Sequence, residues 1–154
     1  MIQLIAMTEQ QFSTYLAAAI VSYAKDNVQA GRCSDEESLE DSKGAHQKLL
    51  PQGIATPNHY LLQIVHHKQT VGHLWLMFDR HKPRAGAFVY DLEIYALFQR
   101  CGYAKAALLE AEKCVLQLGG DKISLHVFSH NTKAQHLYQQ LDYQVTGINM
   151  SKSF

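Results

Sequence analysis

Residues 59–78 read HYLLQIVHHKQTVGHLWLMF. Two runs rich in apolar, β-branched and aromatic residues, HYLLQIVH and TVGHLWLMF, are separated only by HKQ. Runs of that length and composition form strands. With so short a link they must lie antiparallel, because a parallel pair needs a crossover of about a dozen residues or more. DRHKPRAG then reads as a second turn and AFVYDLEIY as a third strand. The middle of the chain is a three-stranded meander, and the rest must cover its apolar faces.

The flanks supply that cover. MIQLIAM reads as a first strand. Thr8-Glu9-Gln10-Gln11 is a capping box, with the Thr8 hydroxyl and the Gln11 amide placed for the first free N–H groups. Phe12, Tyr15, Leu16, Ala19, Ile20 and Tyr23 follow at helical spacing, and Gly31 is a stop. Ser34-Asp35-Glu36-Glu37 is a second capping box, opening a polar helix that runs towards Leu49-Leu50 before Pro51. The acidic run on that helix reads first as a solvated face. After the meander a helix is predicted over residues 103–118, closed by Gly119-Gly120. KISLHVF alternates as a strand, NTKAQHLYQQL puts Ala134, Leu137, Tyr138 and Leu141 on one helical stripe, and YQVTGINMS reads as a final strand. The order is β-α-α-β-β-β-α-β-α-β. Its second half demands a parallel pair, because a crossover helix joins parallel strands. The expected fold class is α/β in the α+β sense: a mixed sheet with helices on its faces.

The 154 residues, 47% of them apolar, suit one domain over residues 1–154 with a real core. Fourteen basic residues balance fourteen acidic ones, so no net field favours nucleic acid or an acidic membrane surface. No apolar run approaches the roughly 20 residues that span a bilayer. MIQLIAMTEQQF lacks the basic start of a signal peptide. Cys33, Cys101 and Cys114 are odd in number and scattered, which argues against a disulfide framework and for a reducing cytoplasm. None of the nine histidines sits at a metal-binding spacing, so no metal is expected. Most of them are expected at the surface or in turns, with the adjacent His66 and His67 on opposite faces of a strand.

The stretch YDLEIYALFQRCGYAKAALLEAEKC runs from a strand through Gln99-Arg100-Cys101-Gly102-Tyr103-Ala104-Lys105 into a helix. A helix start offers unpaired N–H groups and the positive end of a dipole, and a pyrophosphate can bind there without a special side chain. Arg100 and Lys105 add charge, and Gly102 lets the backbone come close to a ligand. A lone glycine before a helix is also common where nothing binds. The second constellation is Asn131-Thr132-Lys133-Ala134-Gln135-His136-Leu137-Tyr138, some thirty residues on.

Taken together, Q-x-x-G-x-A at Gln99, Gly102 and Ala104 and N-x-x-A-x-x-L-Y at Asn131, Ala134, Leu137 and Tyr138 resemble the GNAT superfamily of acyl-CoA-dependent N-acetyltransferases. The resemblance covers nearly the whole chain, and the ending VTGINMSK is similar to the small bacterial YycN-like members. It implies acetyl-CoA as co-substrate, with direct transfer to an amine of a small molecule, a peptide N-terminus or a lysine. It further implies that the strand at Leu92, Glu93 and Ile94 carries a bulge, splays from its parallel neighbour and pairs with the pantetheine arm. The Ile94 N–H would face the thioester oxygen, and Arg100, Cys101, Gly102, Tyr103, Ala104 and Lys105 would hold the pyrophosphate. Tyr138 would be the general acid. His126, five residues before Asn131, and Glu93 compete as the base, with Asp91 beside them. Asn131 would cap its helix and touch the cofactor arm.

Plainer readings stand beside these. Tyr138 could be a core tyrosine, His126 a solvent-facing one of the nine, Glu93 a strand residue on an open groove. Trp75, Tyr90 and His59 could line an acceptor pocket or belong to the core. Two positions depart from the family pattern: Arg100 and Asp142 stand where many members have glycine. An aspartate tolerates a left-handed backbone better than most residues. The chain could also be a catalytically silent acyl-CoA-binding or interaction module, and a homodimer is compatible with either reading.

Overall fold

The computed structural model describes residues 1–154. Five strands form one sheet in the order β1 (Ile2–Ala6), β2 (His59–His66), β3 (Gln69–Met77), β4 (Ala87–Ile94) and β5 (Ile123–Leu125). All neighbours are antiparallel except β4 and β5, which run parallel. Four helices complete the fold: α1 (Glu9–Gln29), α2 (Asp35–Leu49), α3 (Tyr103–Gln117) and α4 (Thr132–Gln140). The mixed sheet with a central meander and helices on its faces is the architecture expected above. No helix is long and apolar enough to cross a membrane.

Local chemistry sets the helix ends. Both halves of the Thr8 capping box are made: the hydroxyl accepts from the Gln11 N–H, and the Gln11 side chain accepts from the Thr8 N–H. At Ser34 only one half forms, the hydroxyl accepting from the Glu37 N–H. The acidic residues of α2 are exposed, as a solvated face requires. Helix α2 instead buries Ser38, Ser42 and His46, and the Ser42 hydroxyl donates to the Ile20 carbonyl of α1 at 2.6 Å. Short side chains let the two helices lie close.

The alternating strands divide the core between two faces. On one, Ile64, Leu74, Leu76, Val89 and Ile94 pack against Ala107, Leu108, Ala111 and Val115 of α3. On the other, Met7, Leu61 and Trp75 meet Phe12, Tyr15 and Ala19 of α1. Each large side chain so buried contributes about 1.5–3 kcal/mol. Helix α4 has no fully buried residue; Leu137, Tyr138 and Leu141 lean on the first cluster.

Three expectations need correction. KISLHVF gives a strand of three residues only, because β5 leaves β4 after Leu125. YQVTGINMS forms no strand: β-forming residues also need a partner edge, and this segment pairs with nothing in its own chain. His66 and His67 do not face opposite ways. His67 has left the strand for a left-handed turn, φ +48°, and the two rings meet edge-on at 4.1 Å. Of the nine histidines only His46 and His73 are buried, so most do keep solvent exposure as expected.

Candidate active site

The site begins with a fault in the sheet. Trp75 pairs with Asp91 but Leu76 pairs with Val89, so Tyr90 is an extra residue, a β-bulge in β4. The parallel pairing of β4 with β5 covers only residues 87–89 and 123–125. Beyond it the two strands part. Leu92 on one side and His126, Val127 and Phe128 on the other line a cavity of about 330 Å³, closed by α1 and α2.

The outer edge of β4 stays unpaired past the bulge. Main-chain groups alternate in direction along a strand. The Tyr95 N–H turns to β3, donating to the Val71 carbonyl at 2.9 Å. The N–H groups of Ile94 and Leu92 therefore point the other way, into the opening. The Gln99 side chain donates to the Ile94 carbonyl at 2.9 Å and leaves the Ile94 N–H free.

The turn that follows holds a second row of free donors. No hydrogen bond within the protein is donated by the main-chain N–H of any residue from 99 to 105; the first is Ala106 N–H to the Gly102 carbonyl at 3.1 Å. No side chain caps α3. Gly102 lies at φ +80°, and a Cβ at this position would meet nothing within 4 Å, so glycine is required there by conformation and not by space. Arg100 is also left-handed, at φ +64°. Alternation of that kind makes a concave nest of N–H groups suited to an anion. Arg100 and Lys105 are exposed and free of ion pairs. The Tyr103 hydroxyl meets His66 Nδ1 at 3.1 Å and ties the helix start to β2.

Asp91, His126, Asn131 and Tyr138 share the lining of the one cavity. Asn131 caps α4, its side chain accepting from the Ala134 N–H at 3.2 Å. The Tyr138 hydroxyl has no hydrogen-bond partner in the protein; burial, and secondarily the Asp91 charge, push its pKa up. Burial and then the Arg32 charge push His126 down, which keeps its ring neutral. Glu93 is half-exposed and lies outside the lining, with its carboxylate 3.6 Å from His73 Nε2. Trp75 and Tyr90 line the cavity, and His59 supports them: it accepts from Trp75 Nε1 at 2.9 Å and stacks on Tyr90.

Two groups that sequence reasoning missed hold Asp91. The Tyr15 hydroxyl donates to its carboxylate at 2.7 Å, and His73 Nε2 lies 3.0 Å from the same oxygen. Burial raises the Asp91 carboxyl, but His73 by bond and charge, with Tyr15, outweighs it and holds the group below its usual range. Tyr15 is pushed far up by burial and by Asp91 and stays a phenol. Tyr15 reads as one more apolar residue on the α1 stripe, and His73 as one histidine among nine. Their shared face with Asp91 follows from strand register, which the sequence does not state.

The Acetyltransferase (GNAT) family model matches residues 29–143. The chain belongs to the GNAT acetyltransferase family. It is 38% identical over 152 residues to YycN, an uncharacterized N-acetyltransferase of Bacillus subtilis (strain 168), covering 98% of this chain and 97% of that one. YdgE of the same organism, also an N-acetyltransferase, is 34% identical over 95% of this chain and 94% of its own. The crystal structure of YycN superposes with a TM-score of 0.95 over 100% of this chain and 99% of that one, at 37% identity. The PaiA N-acetyltransferase of Thermoplasma acidophilum, solved in complex with coenzyme A, shares the fold at a TM-score of 0.69 and 19% identity, over 97% and 93% of the two chains. The protein is an N-acetyltransferase.

Proposed function

We propose that this GNAT enzyme moves the acetyl group of acetyl-CoA directly onto a primary amine held in the cavity between β4, β5, α1 and α2. The observation that carries this reading is the unpaired outer edge of β4. It leads from the cavity at Leu92 to the row of free amides at residues 99–105. Those amides with Arg100 and Lys105 fit a pyrophosphate, and the Leu92 and Ile94 N–H groups fit an extended amide-bearing arm. Acetyl-CoA, once bound, supplies the activated acyl group.

The side chains then divide the proton work. Asp91, held ionised, is a poor proton acceptor and a good counter-ion, so it anchors the acceptor as an ammonium. Neutral His126 takes the first proton and frees the nitrogen lone pair. The Ile94 N–H faces the carbonyl oxygen as charge develops there, a type of contact that contributes about 3 kcal/mol in acyl transfer. Tyr138, kept protonated, donates to the sulfur as the C–S bond breaks, and the second proton of the nitrogen restores the phenol. Glu93 reaches the cavity only through His73 and serves at most as an outlet for the proton. The space and the walls of Tyr15, Tyr23, Trp75 and Phe128 suit a small amine, or the end of a lysine or peptide chain.

A free-thiol release assay over a panel of amines tests the proposal, with Tyr138→Phe as control. Loss of about 100-fold or more in kcat with little change in KM is expected. Unchanged turnover in that variant would remove Tyr138 from the mechanism. CoA binding with no thiol release from any amine would instead identify a silent acyl-CoA-binding module.

A further inference from the structure

The cavity carries charge at both ends. Asp91 stands at one end, held by the Tyr15 hydroxyl at 2.7 Å and by His73 at 3.0 Å. Asp26 and Arg32 line the other. Tyr15 and Asp26 lie about three turns apart on α1, roughly 16 Å along the helix axis. Between them Ala19, Ser22 and Tyr23 turn the same face of α1 to the cavity, and Trp75 and Phe128 line it from the sheet side.

The two charges at the far end are not equivalent. The Asp26 carboxylate is taken up by His130, whose Nε2 lies 3.2 Å away. Arg32 has no such partner and makes none of the ion pairs of the protein. Its guanidinium lies instead 5.1 Å from the centre of the Phe128 ring. Its main-chain N–H donates to the carbonyl of buried Asn27 at 2.9 Å, which pins the loop to the end of α1. A guanidinium placed by a ring and a pinned loop keeps its N–H fork free, and that fork matches a carboxylate through two parallel bonds. Burial first and the Arg32 charge second hold His126 down, so the guanidinium acts inside the site and not only at its rim.

Resting on the reading of this cavity as the acceptor site, we propose that the amine acceptor carries a carboxylate at its far end, with its ammonium at Asp91, its carboxylate on Arg32 and an apolar or aromatic spacer among Tyr23, Trp75 and Phe128. A diamine or longer polyamine fits worse. Its second cation would meet the guanidinium, and the one carboxylate nearby is already engaged by His130. An α-amino acid fits worse too, because its carboxylate would lie beside its ammonium and so beside Asp91. Opposite charges separated by a spacer satisfy both ends at once.

Trp75 is the sole tryptophan and lines the cavity, so its fluorescence reports occupancy. Three probes share one ring and one aminomethyl group: 4-(aminomethyl)benzoate, 4-methylbenzylamine and 4-(aminomethyl)benzylamine. They differ only in the far group, which is an anion, a methyl or a cation. Titrated in the presence of coenzyme A, the benzoate is expected to bind about tenfold or more tightly than the methyl compound, with the dication weakest. In Arg32→Gln that preference is expected to fall below about threefold, and in Arg32→Glu to invert in favour of the dication. Equal affinity for the three probes overturns the proposal, as does tightest binding of the dication by the native protein or an undiminished preference in Arg32→Gln. Thiol release from acetyl-CoA is measured separately on the same probes. Tight binding of the benzoate with no thiol release supports the charge assignment and counts against acetyl transfer. Equal kcat/KM for all three probes keeps the transfer and overturns the carboxylate.

Discussion

Asp91 sits one residue past the β4 bulge, with Tyr15 and His73 donating to it and Tyr138 within reach of its charge. An ammonium anchor there predicts that Asp91→Asn raises KM for the amine tenfold or more and leaves KM for acetyl-CoA nearly unchanged. The same group affects stability. Its folded pKa lies below the unfolded value, so the stabilisation is present above the ordinary carboxylate range and is lost as pH falls through the folded value. Chemical denaturation between about pH 5 and 2 should show a steeper acid loss in the native protein than in Asp91→Asn. As the proposed base, His126 gives catalysis an acid limb of its own. Its base form is depleted on acidification, so kcat/KM should fall as pH drops through a pKa below about 6.5. That acidic limb should vanish in His126→Asn. An unchanged limb would assign the base to another group. At this scale the family resemblance singled out Asn131, Tyr138, His126 and Asp91 as candidates, and the fold brings all four to one cavity. Tyr15 and His73 could not be singled out in this way, because only the fold makes them neighbours of Asp91.

The element scale is governed by where strands approach and part. A Cβ at Gly72 would overlap the Glu93 carbonyl oxygen, so β3 and the C-terminal end of β4 can meet only at a glycine. Gly72→Ala should therefore destabilise the fold by about 1–3 kcal/mol and weaken CoA binding together. In the turn the two effects should separate. Arg100 holds a left-handed backbone at φ +64°, a strain of about 1–2 kcal/mol that glycine relieves. Arg100→Gly is expected to raise Tm in a thermal scan while KM for acetyl-CoA rises, since a cation beside the proposed phosphate nest is lost. A fall in both would show that Arg100 serves the fold more than the ligand. The helix starts, the meander and the strand–turn–helix unit were readable from caps and periodicity. The early end of β5 was not. KISLHVF alternates through to Phe128, and it is the parting from β4 that stops the pairing and opens the cavity.

For the whole molecule, β4 and α4 line the cavity, and with α3 they are joined through side-chain packing in one apolar cluster. A ligand touching all three should act as a brace. Acetyl-CoA at about 100 times its Kd is expected to stabilise the protein by about 2.7 kcal/mol, read as a rise in Tm. No rise would contradict the cofactor assignment. The sequence by itself determined the order of elements as far as α4, the mixed sheet, the glycine-bearing turn and the paired motifs around Gln99 and Asn131, because these rest on periodicity, capping and spacing along the chain. The tertiary structure alone decided which side chains meet Asp91, how far β5 follows β4, and that residues 144–154 find no partner in their own chain. Each of those depends on strand register or on a free edge, and both are set by contacts between residues far apart in sequence.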